Sequence, residues 1–230
     1  MATLNYAIIV AGGQGTRMQR SIPKQFIPIE GKPVLMHTIE AVTRCSFPID
    51  IIVVLPKAEI AVWDELCQSH SFDVPHQVAI GGASRSASVR SGLQQIGSQD
   101  GVVAIHDGVR PLVSKELIER SLLSAEQYGS AVASVPLKDS IRRTSGSKSE
   151  AVSREQYRLI QTPQTFRLAL LRKAYQLLEG QSFSDDASLV ERSGHRVHLI
   201  EGDYQNLKIT TPEDLTVATA LLKQTLASGT

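Results

Sequence analysis

The sequence predicts a three-layer α/β fold built on a mainly parallel sheet. Three observations carry that reading. Short apolar, β-branched runs recur along the 230 residues. Segments with helical periodicity lie between them, and an alternation of the two patterns gives parallel strands with crossover helices. Glycine-rich turns follow directly on two of the strand-like runs, which is where such sheets place ligands.

The first run is Ala7-Ile8-Ile9-Val10, short and apolar throughout, as a strand buried on both faces should be. It opens YAIIVAGGQGTRMQRSIPKQ, Tyr6 to Gln25, the stretch around which the chain is organised. Gly12, Gly13 and Gly15 follow the strand, and glycine allows backbone N–H groups to come close to a ligand. Arg17 and Lys24 add two cations beyond the turn, with Pro23 stiffening the approach to Lys24. The dinucleotide fingerprint fails because Met18 stands where its third glycine belongs, and the P-loop pattern fails for want of Lys-Ser or Lys-Thr. A strand, a glycine turn and two cations make a seat for a polyphosphate; the plainer alternative is a turn whose glycines serve geometry alone.

Composition bounds the rest. The length suits one large domain, residues 1–230, or two small ones. A formal net charge of +1 offers no bulk field for nucleic acid or an anionic membrane, so cationic chemistry has to be local. Cys45 and Cys67 suit neither a disulfide framework nor a zinc cluster; packing within helices in a reducing compartment is expected. The start of the chain lacks signal-peptide features, and no apolar run approaches the ~20 residues of a membrane span, so a cytoplasmic protein is expected.

Taken in order, Pro33 suits the first turn of a helix that puts Val34, Leu35, Ile39 and Val42 on one face. Asp50 to Leu55 is a second buried strand, stopped by Pro56; Ile60 to Cys67 is a helix with Trp63 on its apolar side; Gln77 to Ile80 is a short strand. GGASRSASVRSGL, Gly81 to Leu93, repeats the glycine-then-helix pattern. Its serines are caps, or its free helix N-terminus, with Gly82 and Ser88, meets a ligand. Val102 to His106 is a fourth strand that delivers Asp107, followed by Gly108, Arg110 and Pro111. An aspartate at the carboxyl end of such a strand is a candidate Mg²⁺ ligand, its plainer role being a turn cap. His106, ending a buried strand, reads as a satisfied structural histidine.

Ser114 to Tyr128 is a helix and Ala131 to Pro136 a fifth strand. Residues 137–161 are polar and short of core side chains, and they read as a β-hairpin with a long tip centred on Ser145-Gly146-Ser147. A hairpin unable to bury itself packs on something else, and an arm docking on a second subunit is expected. Gln161-Thr162-Pro163-Gln164 returns to the body, Leu168 to Leu178 is amphipathic, and Ser184-Asp185-Asp186 opens a helix whose dipole its acids complement. Arg196 to Glu201 is a last strand; Lys208 lies in the loop after it, and Pro212-Glu213-Asp214 starts the C-terminal helix. On its own, Lys208 reads as a solvated surface lysine.

AGGQGTRM, IPKQF, GGASRSASV, HDGVRP, QTPQ, SDDAS and NLKITTPEDL follow one another in a single order along the chain. That set resembles the cytidylyltransferases acting on 2-C-methyl-D-erythritol 4-phosphate in the non-mevalonate route to isoprenoids. The resemblance runs from about Ile8 to Leu222 and rests on the whole set, since AGGxGTRM alone is shared with wider sugar-phosphate nucleotidyltransferases. It implies a Rossmann-like nucleotidyltransferase fold, with CTP and a polyol phosphate as substrates and Mg²⁺ as cofactor. It implies that Ala11 to Gly15 wrap the CTP phosphates, that Gly82 and Ser88 meet the cytosine, and that Asp107, Gly108 and Arg110 lie by the nucleotide and metal. Arg17 and Lys24 become the transition-state cations. The arm crosses to a twofold partner, where Ser140 and Arg154 serve the neighbour's substrate; Lys208 and Thr162 handle it from their own subunit. Ala11-Gly12-Gly13 departs from the commoner Ala-Ala-Gly of this family and occurs also in ribitol 5-phosphate enzymes, which keeps that alcohol as the alternative. Ser140 replaces a frequent threonine and retains its hydroxyl.

Overall fold

The first sheet strand shows how both faces come to be buried. In β1 (Asn5–Val10), Tyr6 and Ile8 join one apolar layer while Ala7 and Ile9 join the other, the period of two that a strand imposes. The computed structural model describes residues 3–13, 18 and 22–227. After β1 come a small antiparallel pair, β2 (Pro28–Ile29) and β3 (Lys32–Pro33), then α1 (Val34–Thr43), β4 (Asp50–Leu55), α2 (Ile60–Ser69), β5 (Gln77–Ile80), α3 (Arg85–Gln95) and β6 (Val102–Asp107). The second half runs α4 (Lys115–Tyr128), β7 (Ser130–Pro136), β8 (Ile141–Ser145), β9 (Lys148–Val152), β10 (Arg158–Arg167), α5 (Leu168–Leu177), α6 (Asp186–Arg192), β11 (Leu199–Glu201) and α7 (Pro212–Ala227).

The main sheet has the order β11-β7-β10-β6-β1-β4-β5. Its pairings are parallel except those of β10, which runs against both β6 and β7. The chain leaves β1 toward β4 and β5, then returns to β1's other side with β6. That reversal opens a crevice outside the carboxyl ends of β1 and β6.

The layers follow from the apolar faces. Leu35 and Ile39 of α1, Trp63 of α2 and Leu117 and Leu122 of α4 cover one side of the sheet. Val89 and Leu93 of α3, Leu171 and Ala174 of α5 and Leu189 and Val190 of α6 cover the other. The three-layer, mainly parallel expectation holds. α7 packs apart, in a small cluster in which Ala218 and Leu222 meet Ile29, Val109 and Ile209.

Several local expectations need correcting. The last sheet strand is only Leu199–Glu201, because Arg196 to His198 do not extend the ladder beyond its first pair, Leu199 with Val132. Cys45 lies just past α1 rather than within a helix, while Cys67 is inside α2. Both are partly buried against the core, and burial pushes their thiols up to about 12 and about 11, so neither is a ready nucleophile. The hairpin tip is tight rather than long, since Ser145 pairs with Lys148 across Gly146-Ser147. Residues 158–161 belong to the main sheet, with Arg158 to Ile160 paired to Pro136 to Ser134 of β7; β8 and β9 pair with each other in a sheet of their own.

Candidate active site

Asp107 ends β6 at the crevice and is 7% exposed. Arg110 Nε donates to its Oδ2 at 2.9 Å, and Lys208 Nζ lies 3.2 Å from the same oxygen. Burial alone would raise the carboxyl's pKa. The charges of Lys208, Arg110 and Arg85 outweigh it and hold the group well below the usual carboxylate range. Asp107 is therefore ionised within a cage of cations.

The loop carrying Lys208 is fastened in place. Arg110 Nη1 donates to the Asn206 carbonyl at 2.7 Å, and the Ile209 N–H donates to the Val109 carbonyl at 2.9 Å. Asn206, fully buried, donates through Nδ2 to the Thr162 carbonyl at 2.8 Å. Alternating apolar Leu207 and Ile209 pack inward, which turns Lys208 to the opposite side, onto Asp107. The Thr162 hydroxyl accepts the Asp107 N–H at 3.0 Å, leaving its own proton for His106 Nδ1 at 3.1 Å. The Arg110 carbonyl, 3.3 Å from Nε2, can only accept, so the imidazole proton sits on Nε2 and Nδ1 accepts from Thr162. Burial lowers the His106 pKa to about 4, so the ring is neutral and structural at pH 7.

Lys24 begins a short 3₁₀ turn, Lys24–Phe26, that is pinned from below. The Phe26 ring stacks on Trp63 with centroids 6.1 Å apart, and Gln25 Nε2 donates to Glu59 Oε2 at 2.5 Å. Lys24 Nζ reaches the Ile209 carbonyl at 3.4 Å, so it stands beside the Lys208 loop. On the far side of the crevice Ser84 caps α3 by accepting the Ala87 N–H at 3.1 Å. The Ser88 hydroxyl accepts the Gly82 N–H at 3.1 Å and donates to the Ser84 carbonyl at 3.0 Å. A Cβ at Gly82 would lie 2.4 Å from the Ala87 Cβ, so the loop's close approach to α3 requires glycine.

These elements enclose a cavity of about 460 Å³. Ala11, Gly12 and Gly13 form one wall, Lys24 and Gln25 another, and Gly82, Arg85 and Ser88 a third, with Asp107 and Lys208 at the back. A second cavity of about 230 Å³ adjoins it, lined by Arg110, Thr162 and Gln164. Arg85, Asp107 and Lys208 line both. The paired cavities, with a shared wall of two cations and one carboxylate, suit two anionic substrates brought side by side.

The residues singled out from sequence divide accordingly. Ala11, Gly12, Gly13, Lys24, Gly82, Ser88, Asp107 and Lys208 come together on the larger cavity, and Arg110 and Thr162 on the smaller. Gly108 sits behind the wall. Its N–H donates to Val10, its carbonyl accepts from Thr38, and a Cβ there would lie 2.9 Å from the Ala11 Cβ. Ser140 and Arg154 are exposed on the arm and line neither cavity of their own chain. Gly15 and Arg17 lie outside the described residues. Arg85 and Gln25 were missed, although both stand inside quoted motifs, GGASRSASV and IPKQF. Asp186, read as a dipole complement, is fully buried and paired to Arg85 at 2.6 Å.

A family model described as IspD, 2-C-methyl-D-erythritol 4-phosphate cytidylyltransferase, matches residues 5–224. The chain belongs to the 2-C-methyl-D-erythritol 4-phosphate cytidylyltransferase family. A member from Bacteroides fragilis is 49% identical over 216 residues, covering 94% of this chain and 98% of that protein. One from Porphyromonas gingivalis is 46% identical over 225 residues, covering 96% and 99%. Among solved structures, the 4-diphosphocytidyl-2C-methyl-D-erythritol synthase of Anaerococcus prevotii matches with a TM-score of 0.82 at 29% identity, covering 96% of each chain. The 2-C-methyl-D-erythritol 4-phosphate cytidylyltransferase of Thermus thermophilus matches with a TM-score of 0.77 at 33% identity, covering 96% of this chain and all of that one. The chain is thus a nucleotidyltransferase of this cytidylyltransferase family, and its α/β fold is the one these structures share. No helix among the described residues is long and apolar enough to cross a membrane.

Proposed function

We propose that the chain transfers the cytidylyl group of CTP to 2-C-methyl-D-erythritol 4-phosphate, giving 4-diphosphocytidyl-2-C-methyl-D-erythritol and pyrophosphate. Family membership supports the reaction, and one observation carries its placement: two adjoining cavities share Arg85, Asp107 and Lys208. The larger takes CTP and the smaller the alcohol phosphate.

A phosphate oxygen of the alcohol attacks the CTP α-phosphorus; a P–O bond forms there as the bond to the pyrophosphate oxygen breaks. The nucleophile is already ionised, so no strong base is required. Two anions must be held together against repulsion, and catalysis is positioning plus electrostatic stabilisation. Lys24, with Arg17, offsets charge growing on the α-phosphoryl oxygens. Lys208 turns from Asp107 to the incoming phosphate. Gly12 and Gly13 let backbone approach the CTP phosphates, and Gly82 and Ser88 receive the base.

Mg²⁺ is bound in such sites through one or two carboxylates plus substrate phosphates. Asp107 fits that role, being an ionised carboxylate on both cavities, and the ion would neutralise triphosphate charge. Among the described residues no group of three His, Cys, Asp or Glu side chains is placed to hold a metal, so the ion would rely on nucleotide phosphates and water for its other ligands.

The arm completes a homodimer, reaching the neighbour's smaller cavity with Ser140 and Arg154. Exposed Tyr157, Leu159 and Ile160 at its root support a covered surface there. The protein works in the cytoplasm on small molecules, not nucleic acid or membrane. Product analysis with CTP, Mg²⁺ and either 2-C-methyl-D-erythritol 4-phosphate or ribitol 5-phosphate tests the reading. The methylerythritol product is expected; turnover of ribitol phosphate alone overturns the choice of alcohol.

A further inference from the structure

We infer that Asp186 is a positioning residue for the nucleotide, acting through Arg85. The inference rests on the reading of the larger cavity as the CTP seat.

Arg85 is the first residue of α3, and its guanidinium crosses to the start of α6. There its Nη1 lies 2.6 Å from Oδ2 of Asp186, whose side chain is 0% exposed against 23% for Arg85. The carboxylate is fixed from its other side, where the Tyr175 hydroxyl donates to Oδ1 at 2.6 Å. Its backbone is fixed too. Gln164 Oε1 accepts the N–H groups of Asp186 and Ala187, both at 2.9 Å, while Gln164 Nε2 donates to Asp185 Oδ2 at 3.1 Å. β10, α5 and α6 therefore converge to hold one buried carboxylate against one arginine on the wall of both cavities.

A surface acid at a helix start needs none of this apparatus. Removing one partner of a buried pair strands the other charge. With Asp186 neutralised, the carboxylate still acting on Arg85 is Asp107, which already bears Arg110 and Lys208. Arg85 is then drawn toward Asp107 at the back of the same cavity and out of the position that Asp186 gives it. CTP binding suffers first; the chemical step, which falls to other cations, suffers less.

The test is a double-mutant cycle with Asp186→Asn, Arg85→Gln and both together, read as KM for CTP and kcat in a pyrophosphate-release assay with Mg²⁺ and methylerythritol phosphate. Asp186→Asn is expected to raise the CTP KM roughly tenfold and leave kcat within about threefold, with the double variant no worse than Arg85→Gln alone. If Arg85→Gln raises KM and Asp186→Asn does not, or if the two effects multiply, the inference is overturned while the cavity's assignment stands. If Arg85→Gln itself leaves CTP handling unchanged, the placement of CTP against Arg85 fails and takes the inference with it. Should Asp186→Asn not fold, as judged by thermal melting, Tyr175→Phe carries the test. A rise of about threefold in the CTP KM supports the inference, and a wild-type value overturns it.

Discussion

Gly13 lies against Lys24: a Cβ built on the glycine would come within 3.3 Å of the lysine Cε and 3.7 Å of its Nζ. The strand's glycine turn and the 3₁₀ turn of Lys24 are thus fitted closely to one another, so that any side chain at Gly13 must displace the end of Lys24. Lys24→Ala should cost about 10²–10³ in kcat, as loss of a transition-state donor does. Gly13→Val, pushing the lysine aside without removing it, should fall between that variant and wild type, and Gly13→Ala should cost least. Initial rates of pyrophosphate release at saturating CTP check the order. Full activity in Gly13→Val would separate the turn from the lysine.

Gly82→Ala acts on backbone rather than on a flexible side chain. Its Cβ would meet the Ala87 Cβ at 2.4 Å and the Ala87 carbonyl carbon at 3.1 Å. Overpacking of this kind costs about 1–3 kcal/mol. A lowered thermal midpoint together with a raised KM for CTP is expected, because the Gly82 N–H to Ser88 contact cannot survive the shift.

Stability should fall on the acid side in two stages. The His106 pKa drops from 6.5 in the unfolded chain to about 4 in the fold, chiefly by burial, so protonation favours unfolding. Its contribution is whole above pH 6.5 and is lost as pH falls from 6.5 toward 4, by on the order of 3 kcal/mol. Buried His37, also lowered by burial, adds to the same window. Asp107 is lowered instead of raised, so its contribution is present above 3.8 and is lost as pH falls below that value. Urea midpoints measured from pH 7 to pH 3 should show both declines, and His106→Gln should flatten the first without removing the second.

The proposed exchange of arms between subunits makes a prediction about mixtures. Arg154→Ala and Lys208→Ala should each weaken use of the alcohol phosphate. In a mixed dimer, one body keeps Lys208 and faces the other chain's intact Arg154. Co-refolded variants should then recover activity, to about a quarter of wild type for random pairing. No recovery would place Arg154 and Lys208 in the same subunit's site.

Sequence patterning reached the sheet, its helices and the crevice because the signals were local: β-branched runs, glycine turns and a strand ending in Asp107. What it could not reach was brought together by topology. Lys208 reads as a loop lysine until Leu207 and Ile209 bury and turn it onto Asp107. Asp186 reads as a dipole complement until α6 packs its carboxylate on Arg85 from a distant helix. β10 reads only as a return to the body, since QTPQ is too polar to announce a buried strand; yet Gln161, Thr162 and Gln164 are all buried, their polar groups met by Asn206, Asp203 and α6. The paired motifs showed which segments matter but not that Arg85 would serve both cavities.

β7 and β10 are antiparallel neighbours whose ladder opens at Pro136 and Arg158, so β8 and β9 grow from the end of one long hairpin. An extension grafted at that point leaves every register of the seven-stranded sheet untouched. The body's fold therefore does not depend on the arm, and a chain pruned back to a short loop there should still fold while losing whatever Ser140 and Arg154 supply.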